Sequence, residues 1–228
     1  MRKNLDFRRM LGILFFAWLS CLIILGVFEV KAEESRPSLA LLPFFVARPD
    51  ELEKGVVCPI CKDLFENGEV VPGSQNILTR LVYEKTEALG VFNLISAEIA
   101  ADTLSRRDKK HFEEHFLLNS VDLGKELDAD FIMIGFLFRF VERIGSSIGV
   151  SKPASVGFDI HLFRVRDGKM VWHKGVDETQ KPLSDNLLKM GAFFRRKASW
   201  LTAIELSNVA MDEMLKKFPG VKELEEMP

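Results

Sequence analysis

The chain has 228 residues, 47% of them hydrophobic and 28% charged, which suits one domain with a substantial core and gives no clear sign of a second. Its 31 basic and 33 acidic residues leave a formal net charge of −2, so no general attraction for nucleic acid is expected.

Arg2, Lys3, Arg8 and Arg9 stand against Asp6 and precede an uncharged run from Met10 to Phe28, the pattern of a basic n-region and an apolar h-region. Three fates remain open for residues 1–32. Val30-Lys31-Ala32 offers a cleavage site, and Trp18-Leu19-Ser20-Cys21 resembles a lipidation signal at Cys21. Residues 10–28, longer than a usual h-region of roughly 7–15 residues, approach the roughly 20 needed to remain as a transmembrane anchor. The outer-membrane lipoprotein fits less well, because Trp18 stands where an aliphatic residue is usual and apolar sequence continues past Cys21. All three fates place the rest of the chain in the periplasm or on the periplasmic side of the bacterial inner membrane. Loss of residues 1–32 leaves 26 basic and 31 acidic residues, a more acidic domain. Residues 33–37 read as a linker, 38–218 as an α/β domain and 219–228 as a flexible tail.

Within the domain, Ser38 to Phe45 (SLALLPFF) reads as a strand in which Pro43 imposes an edge or a bulge. Ser74 is expected to cap a helix from Gln75 to Leu89 that ends at Gly90, and Val91 to Ser96 follows as a strand. A strand, a helix and a strand make a crossover unit, so the two strands should be parallel neighbours or near neighbours. Ala97 to Leu118 has the composition of a solvated helix, and the short helix VDLGKELDA, capped by Asn119 or Ser120, delivers the chain to Asp130.

Asp130 to Thr179 reads as three consecutive antiparallel strands. The first opens with the apolar run Phe131, Ile132, Met133, Ile134 and then alternates, which predicts a central start and an exposed end. Ile144 to Pro153 is a glycine-serine loop. The second strand sends Val156, Phe158, Ile160 and Leu162 to the core, and Asp167-Gly168 then signals a hairpin. A loop with Gly168 in the left-handed conformation pairs Leu162 with Trp172 and Phe158 with Val176, which keeps core side chains together. It also sets His161 opposite His173, on the face directed away from the core. A helix from Asp185 to about Phe194 is expected beyond Ser184, followed by Arg195-Arg196-Lys197, whose cations complement its dipole or touch lipid headgroups. Thr202-Ala203-Ile204-Glu205 is a capping box for a last helix reaching Phe218. The fold class is α/β, a single domain with a mixed sheet of about five strands and a C-terminal antiparallel meander, covered by helices.

Cys58-Pro59-Ile60-Cys61 is the sharpest local motif. Its spacing fits one knuckle of a zinc ribbon, but no second Cys-x-x-Cys exists in the chain. A redox pair would stand at a helix amino terminus, whereas turns surround this one. A local disulfide between Cys58 and Cys61 suits an oxidising compartment and is the favoured reading. His111, Glu114 and His115 match the H-x-x-E-H pattern of inverted zinc peptidases, with Glu114 placed to activate water, but the surrounding SRRDKKHFEEHF reads as a solvated face. A cross-strand pair of His161 and His173 could bind metal if Asp159 joined it, and otherwise offers a surface to solvent or to a partner. No cofactor is expected.

The order SLALLPF, helix, GVFNLIS, helix, LGKELDADFIMIGFLFRF and FDIHLFRVRDGKMVWHKG resembles a group of bacterial envelope proteins. These are the curli secretion-channel lipoprotein, the outer-membrane lipoprotein activators of penicillin-binding proteins, and the amino-terminal domain of TolB. ADFIMIG, followed by a variable loop and a strand ending in DGKMVW, is the most specific part. The resemblance implies a non-enzymatic assembly or docking module with an envelope protein as partner, and it is compatible with homo-oligomers. The curli channel's long membrane-spanning hairpins have no counterpart here. A zinc-dependent hydrolase using the histidine motif, or a thiol-disulfide protein using the cysteines, are the alternative activities.

Overall fold

The computed structural model describes residues 36–47, 55–181 and 199–227; the leader, the helix expected from Asp185 and the basic segment after it lie outside these residues. The strands are β1 (Ser38–Leu41), β2 (Phe45–Val46), β3 (Val56–Val57), β4 (Leu64–Phe65), β5 (Asn93–Leu94), β6 (Phe131–Val141), β7 (Ile144–Gly145), β8 (Val150–Lys152), β9 (Ser155–Arg164) and β10 (Lys169–Thr179). The helices are α1 (Ser74–Leu89), α2 (Ala97–Ser105), α3 (Lys109–Glu114), α4 (Phe116–Glu126), α5 (Ala203–Leu215) and α6 (Val221–Glu226). Among the described residues no helix is long and apolar enough to cross a membrane.

Hydrogen bonding orders the main sheet β10-β9-β6-β1-β5, with β2 also on β6. β1 runs parallel to β5 and β6, and β9 is antiparallel to β6 and β10, which is the mixed sheet and meander expected. Pro43 lacks the N–H that a ladder needs, so SLALLPFF forms two pieces, β1 and β2, both on β6. The meander register is the expected one, with Leu162 on Trp172, His161 on His173 and Phe158 on Val176. The pairing shifts between Met170 and Trp172, and Arg164 lies opposite Lys169. Gly168 is left-handed, at φ 70°.

Two expectations fail because both faces of the sheet are covered. β6 stays buried through all eleven residues instead of ending exposed, and β9 is buried on both faces. One face packs on Leu78 and Val82 of α1 and on Leu206 and Met211 of α5. The other packs on Ala100 of α2, Phe112 of α3, Leu123 of α4, and Val56 and Phe65 of the β3–β4 hairpin. The glycine-serine loop also gains structure, pairing β7 with β8.

The tail expected to be flexible forms α6, with Leu224 fully buried. Its last carbonyls, which helix geometry leaves without partners, receive the guanidinium of Arg164. Arg164 Nη1 donates to Leu224 O at 3.0 Å and to Glu225 O at 2.7 Å, and Nη2 donates to Met227 O at 3.0 Å. Asp167 holds the same guanidinium from the hairpin turn, Nη2 to Oδ2 at 2.7 Å.

That ion pair lowers the Asp167 carboxyl from 3.8 to about 2. Its folded value lies below its unfolded one, so the stabilisation is complete above the ordinary carboxylate range and is lost as pH falls from about 4 to about 2. Asp167→Asn should therefore flatten the acid limb of stability in that window, as measured by denaturant unfolding. Arg164→Met should cost about 1–3 kcal/mol and speed hydrogen exchange in α6.

Candidate functional site

β9 alternates its side chains, so Gly157, Asp159 and His161 point to one face, and the β3–β4 hairpin lies over them. Each hairpin strand is two residues long, pairing Val56 with Phe65 and Val57 with Leu64. Phe65 stacks on Phe138 with ring centroids 4.0 Å apart. It sits so close to β10 that a Cβ on Gly175 would come within 2.9 Å of its ring. A register shift between Leu137 and Arg139 leads β6 to the buried Arg139. This guanidinium donates to Glu66 O at 2.8 Å, to Ser155 Oγ at 2.6 Å and to Asp177 Oδ1 at 2.5 Å. Glu66 N donates to Asp177 Oδ2 at 2.8 Å, which ties the outgoing end of the hairpin to β6 and β10.

The other end of the hairpin is the Cys-x-x-Cys turn. Lys62 N donates to Cys58 O at 3.2 Å and Cys58 N to Asp63 O at 2.9 Å. Lys62 closes the turn in the left-handed region at φ 66°, a conformation costing about 1–2 kcal/mol for a residue with a Cβ. The turn aims both sulfurs at β9. Cys58 Sγ lies 3.7 Å from His161 Nε2, and Cys61 Sγ lies 3.6 Å from Asp159 Oδ2. Asp159 Oδ2 and His161 Nε2 are 3.6 Å apart, and one ligating atom from each of the four residues falls within 4.8 Å of the others.

Cys58 and His161 are 0% exposed and Asp159 is 1% exposed, while Cys61 is half-buried. His161 therefore faces a closed interior, which corrects the expectation that it looks away from the core. The hairpin and the helices beside it convert that face into a second core. His173 does lie opposite it and is exposed, with its ring stacked on His161 at 5.9 Å. His173 Nε2 is 3.9 Å from Asp63 Oδ2. The two cysteines are free thiols, so the expected disulfide is not formed in the structure.

Burial dominates the electrostatics. It drives the Cys58 thiol far above its ordinary range, with the neighbouring Asp159 charge adding to the effect, and it raises Cys61 as well. It pushes Asp159 up to about 7, against the hydrogen bonds from Cys58 and Cys61. It lowers His161 to about 4, with His173 as the next cause, so the imidazole is neutral near pH 7. Asp159 Oδ1 and His161 Nδ1 have no hydrogen-bond partner. A thiol so strongly protonated is a poor nucleophile for disulfide exchange. The four groups are instead a convergent donor set for a cation.

The other candidate triad is also brought together, but in water. The helix expected across residues 97–118 breaks, because Asp108 caps α3 by accepting from His111 N at 2.7 Å and His115 leaves the helical region at φ −137°. His111, Glu114 and His115 keep ligating atoms within 4.8 Å of one another, and all three are exposed. Glu114 pairs with Lys110 at 4.0 Å. Among the described residues no wall excludes water from the glutamate, as the zinc peptidase reading would need. Sequence reasoning missed the union of the cysteines with Asp159 and His161, which lie about a hundred positions further on, although the alternation of β9 had already placed Asp159 and His161 on one face.

No family model and no curated protein matches the chain. Solved structures similar to it include the PelC dodecamer from Paraburkholderia phytofirmans, at 10% identity and TM-score 0.44, covering 79% of this chain and 86% of that one. Lipoprotein GNA1162 from Neisseria meningitidis is similar at 11% identity and TM-score 0.44, covering 80% and 99%. The LpoB C-terminal domain from Salmonella enterica is similar at 11% identity and TM-score 0.39, covering 66% and 87%.

Exposure differs between the two thiols enough to be measured. In native protein treated with chelator, Cys61 should be alkylated roughly tenfold or more faster than the sealed Cys58, followed by peptide mass spectrometry. A Cys58–Cys61 disulfide would leave both unreactive until reductant is added.

Proposed function

We propose that the chain is an exported, non-enzymatic protein of the cell envelope that docks an extended segment of another protein. Its donor cluster is buried apart from the half-buried Cys61, and its exposed histidine motif lacks the dry pocket that hydrolysis requires. The observation that carries the reading is the edge of the main sheet. β10 is eleven residues long and, among the described strands, pairs only with β9. Met170, His173, Lys174 and Asp177 along it are exposed. A long accessible edge is a template for strand addition, in which main-chain hydrogen bonds supply affinity and alternate side chains supply selectivity. Lys169 and Lys174, exposed along this strand, favour a partner segment that carries acidic side chains. The apolar run after the basic leader either retains the protein at the inner membrane or is removed to free it in the periplasm.

A photo-cross-linking residue placed at Met170 or Lys174 in cells should capture one protein, while the same residue at Glu87 on α1 captures none. Equal capture from all three positions, or from none, would overturn the reading. A cross-link to a second copy of this chain would identify self-association through the edge as the alternative use of β10.

A further inference from the structure

We propose that Cys58, Cys61, Asp159 and His161 form a closed four-ligand zinc site that fastens the tip of the β3–β4 hairpin to the main sheet. The inference stands apart from the docking reading, since the metal needs no partner and β10 needs no metal to present its edge.

Geometry is the first support. Zinc held tetrahedrally by sulfur, nitrogen and oxygen has bonds of roughly 2.0–2.3 Å, which place neighbouring donor atoms about 3.3–3.8 Å apart. The three measured separations, 3.7, 3.6 and 3.6 Å, fall in that interval and link all four residues. The Asp159–His161 separation is too long for a hydrogen bond, and all three separations suit donors around a shared ion.

The donor chemistry is the second. Two sulfurs, an imidazole nitrogen and a carboxylate oxygen are a borderline-soft set that suits zinc and is wrong for magnesium or calcium, which take oxygen ligands. Four protein ligands leave no open position, the mark of a structural rather than a catalytic site. His161 presents Nε2 to the cluster, and Ile60 N donates to Cys58 Sγ at 3.3 Å, a contact that favours thiolate over thiol. Binding releases the thiol protons, and the carboxyl proton where it is present, to solvent.

The third is what the site lacks without an ion. The Asp159 carboxylate is 1% exposed and, among the described residues, has no lysine or arginine beside it, although buried carboxylates are almost always paired or coordinated. The hairpin above it has two residues per strand, too few to hold a turn that includes a left-handed lysine. Arg139, Glu66 and Asp177 fasten its outgoing end, and the ion fastens its tip. The exposed His111, Glu114 and His115 supply one ligand fewer, with Lys110 already beside the carboxylate.

The test uses the full chain, purified without chelator, with zinc counted by native mass spectrometry and elemental analysis. One zinc per chain is expected, retained in His111→Ala and reduced roughly tenfold or more in Cys58→Ser and in His161→Ala. Replacement of zinc by cobalt should give the intense ligand-field bands of a tetrahedral site together with thiolate-to-metal charge transfer. Because this readout uses the unaltered sequence, it decides the matter even where a variant misfolds. Chelation should speed hydrogen exchange at residues 56–65 while the main sheet stays protected. A metal-free chain two mass units light, an octahedral cobalt spectrum, or zinc lost with His111→Ala and kept with Cys58→Ser would overturn the proposal.

Discussion

β9 carries an aspartate and a histidine into a face that the rest of the molecule seals from water, and this constraint shapes everything around them. A carboxylate moved out of water without compensation costs several kcal/mol even after relaxation. The fold accepts that cost at Asp159 and also brings two thiols and an imidazole against the same carboxylate. Groups gathered in this way repel or desolvate one another unless something positive joins them. The raised Asp159 and Cys58 and the lowered His161 share one first cause, burial that disfavours whichever form is charged.

The two buried arginines follow the same logic from the opposite sign. Arg139 and Arg164 are each 4% exposed, each lies on a strand of the meander, and each binds a peripheral element through main-chain carbonyls. Arg139 fixes the hairpin through Glu66 O, and Arg164 fixes α6 through Leu224, Glu225 and Met227. Arg164 is balanced by Asp167 of the hairpin turn, and Arg139 by Asp177 of β10 with the Glu66 carboxylate 3.5 Å away. The central strands are thus the anchor for short segments that could not hold themselves, and the planar guanidinium suits this use because it serves several acceptors at once.

Local chemistry made much of the fold legible in the sequence. Asp167-Gly168 and the aliphatic alternation on either side determine the meander register, and Thr202 with Glu205 fixes the start of α5, where both capping bonds form. What could not be read locally was coverage. Alternation shows which residues share a face, but whether a polar face is wet depends on segments far away in the chain. His161 therefore looked like a surface residue until the hairpin was laid over it. The tail looked frayed for a similar reason, since its partner, Arg164, lies some sixty positions earlier and nothing in VKELEE announces it. The cysteine pair was recognised as half of a metal knuckle, and ligation by Asp159 and His161 was considered separately. Only the topology joins the two halves.

That join also bears on why the Cys-x-x-Cys pair stands as two free thiols in the structure. A redox pair exposes a low-pKa thiolate, as at a helix amino terminus, whereas Cys58 sits sealed in a turn between two-residue strands. Closing a disulfide would turn both sulfurs toward each other and away from β9, leaving Asp159 and His161 buried with two fewer partners. In the structure the amide of Ile60 donates to Cys58 Sγ from within the turn, while Cys58 and Cys61 also reach His161 and Asp159 on β9. The backbone of the turn is therefore set to point its thiols at a third object. Asp159 and His161 are the residues placed on the far side of it.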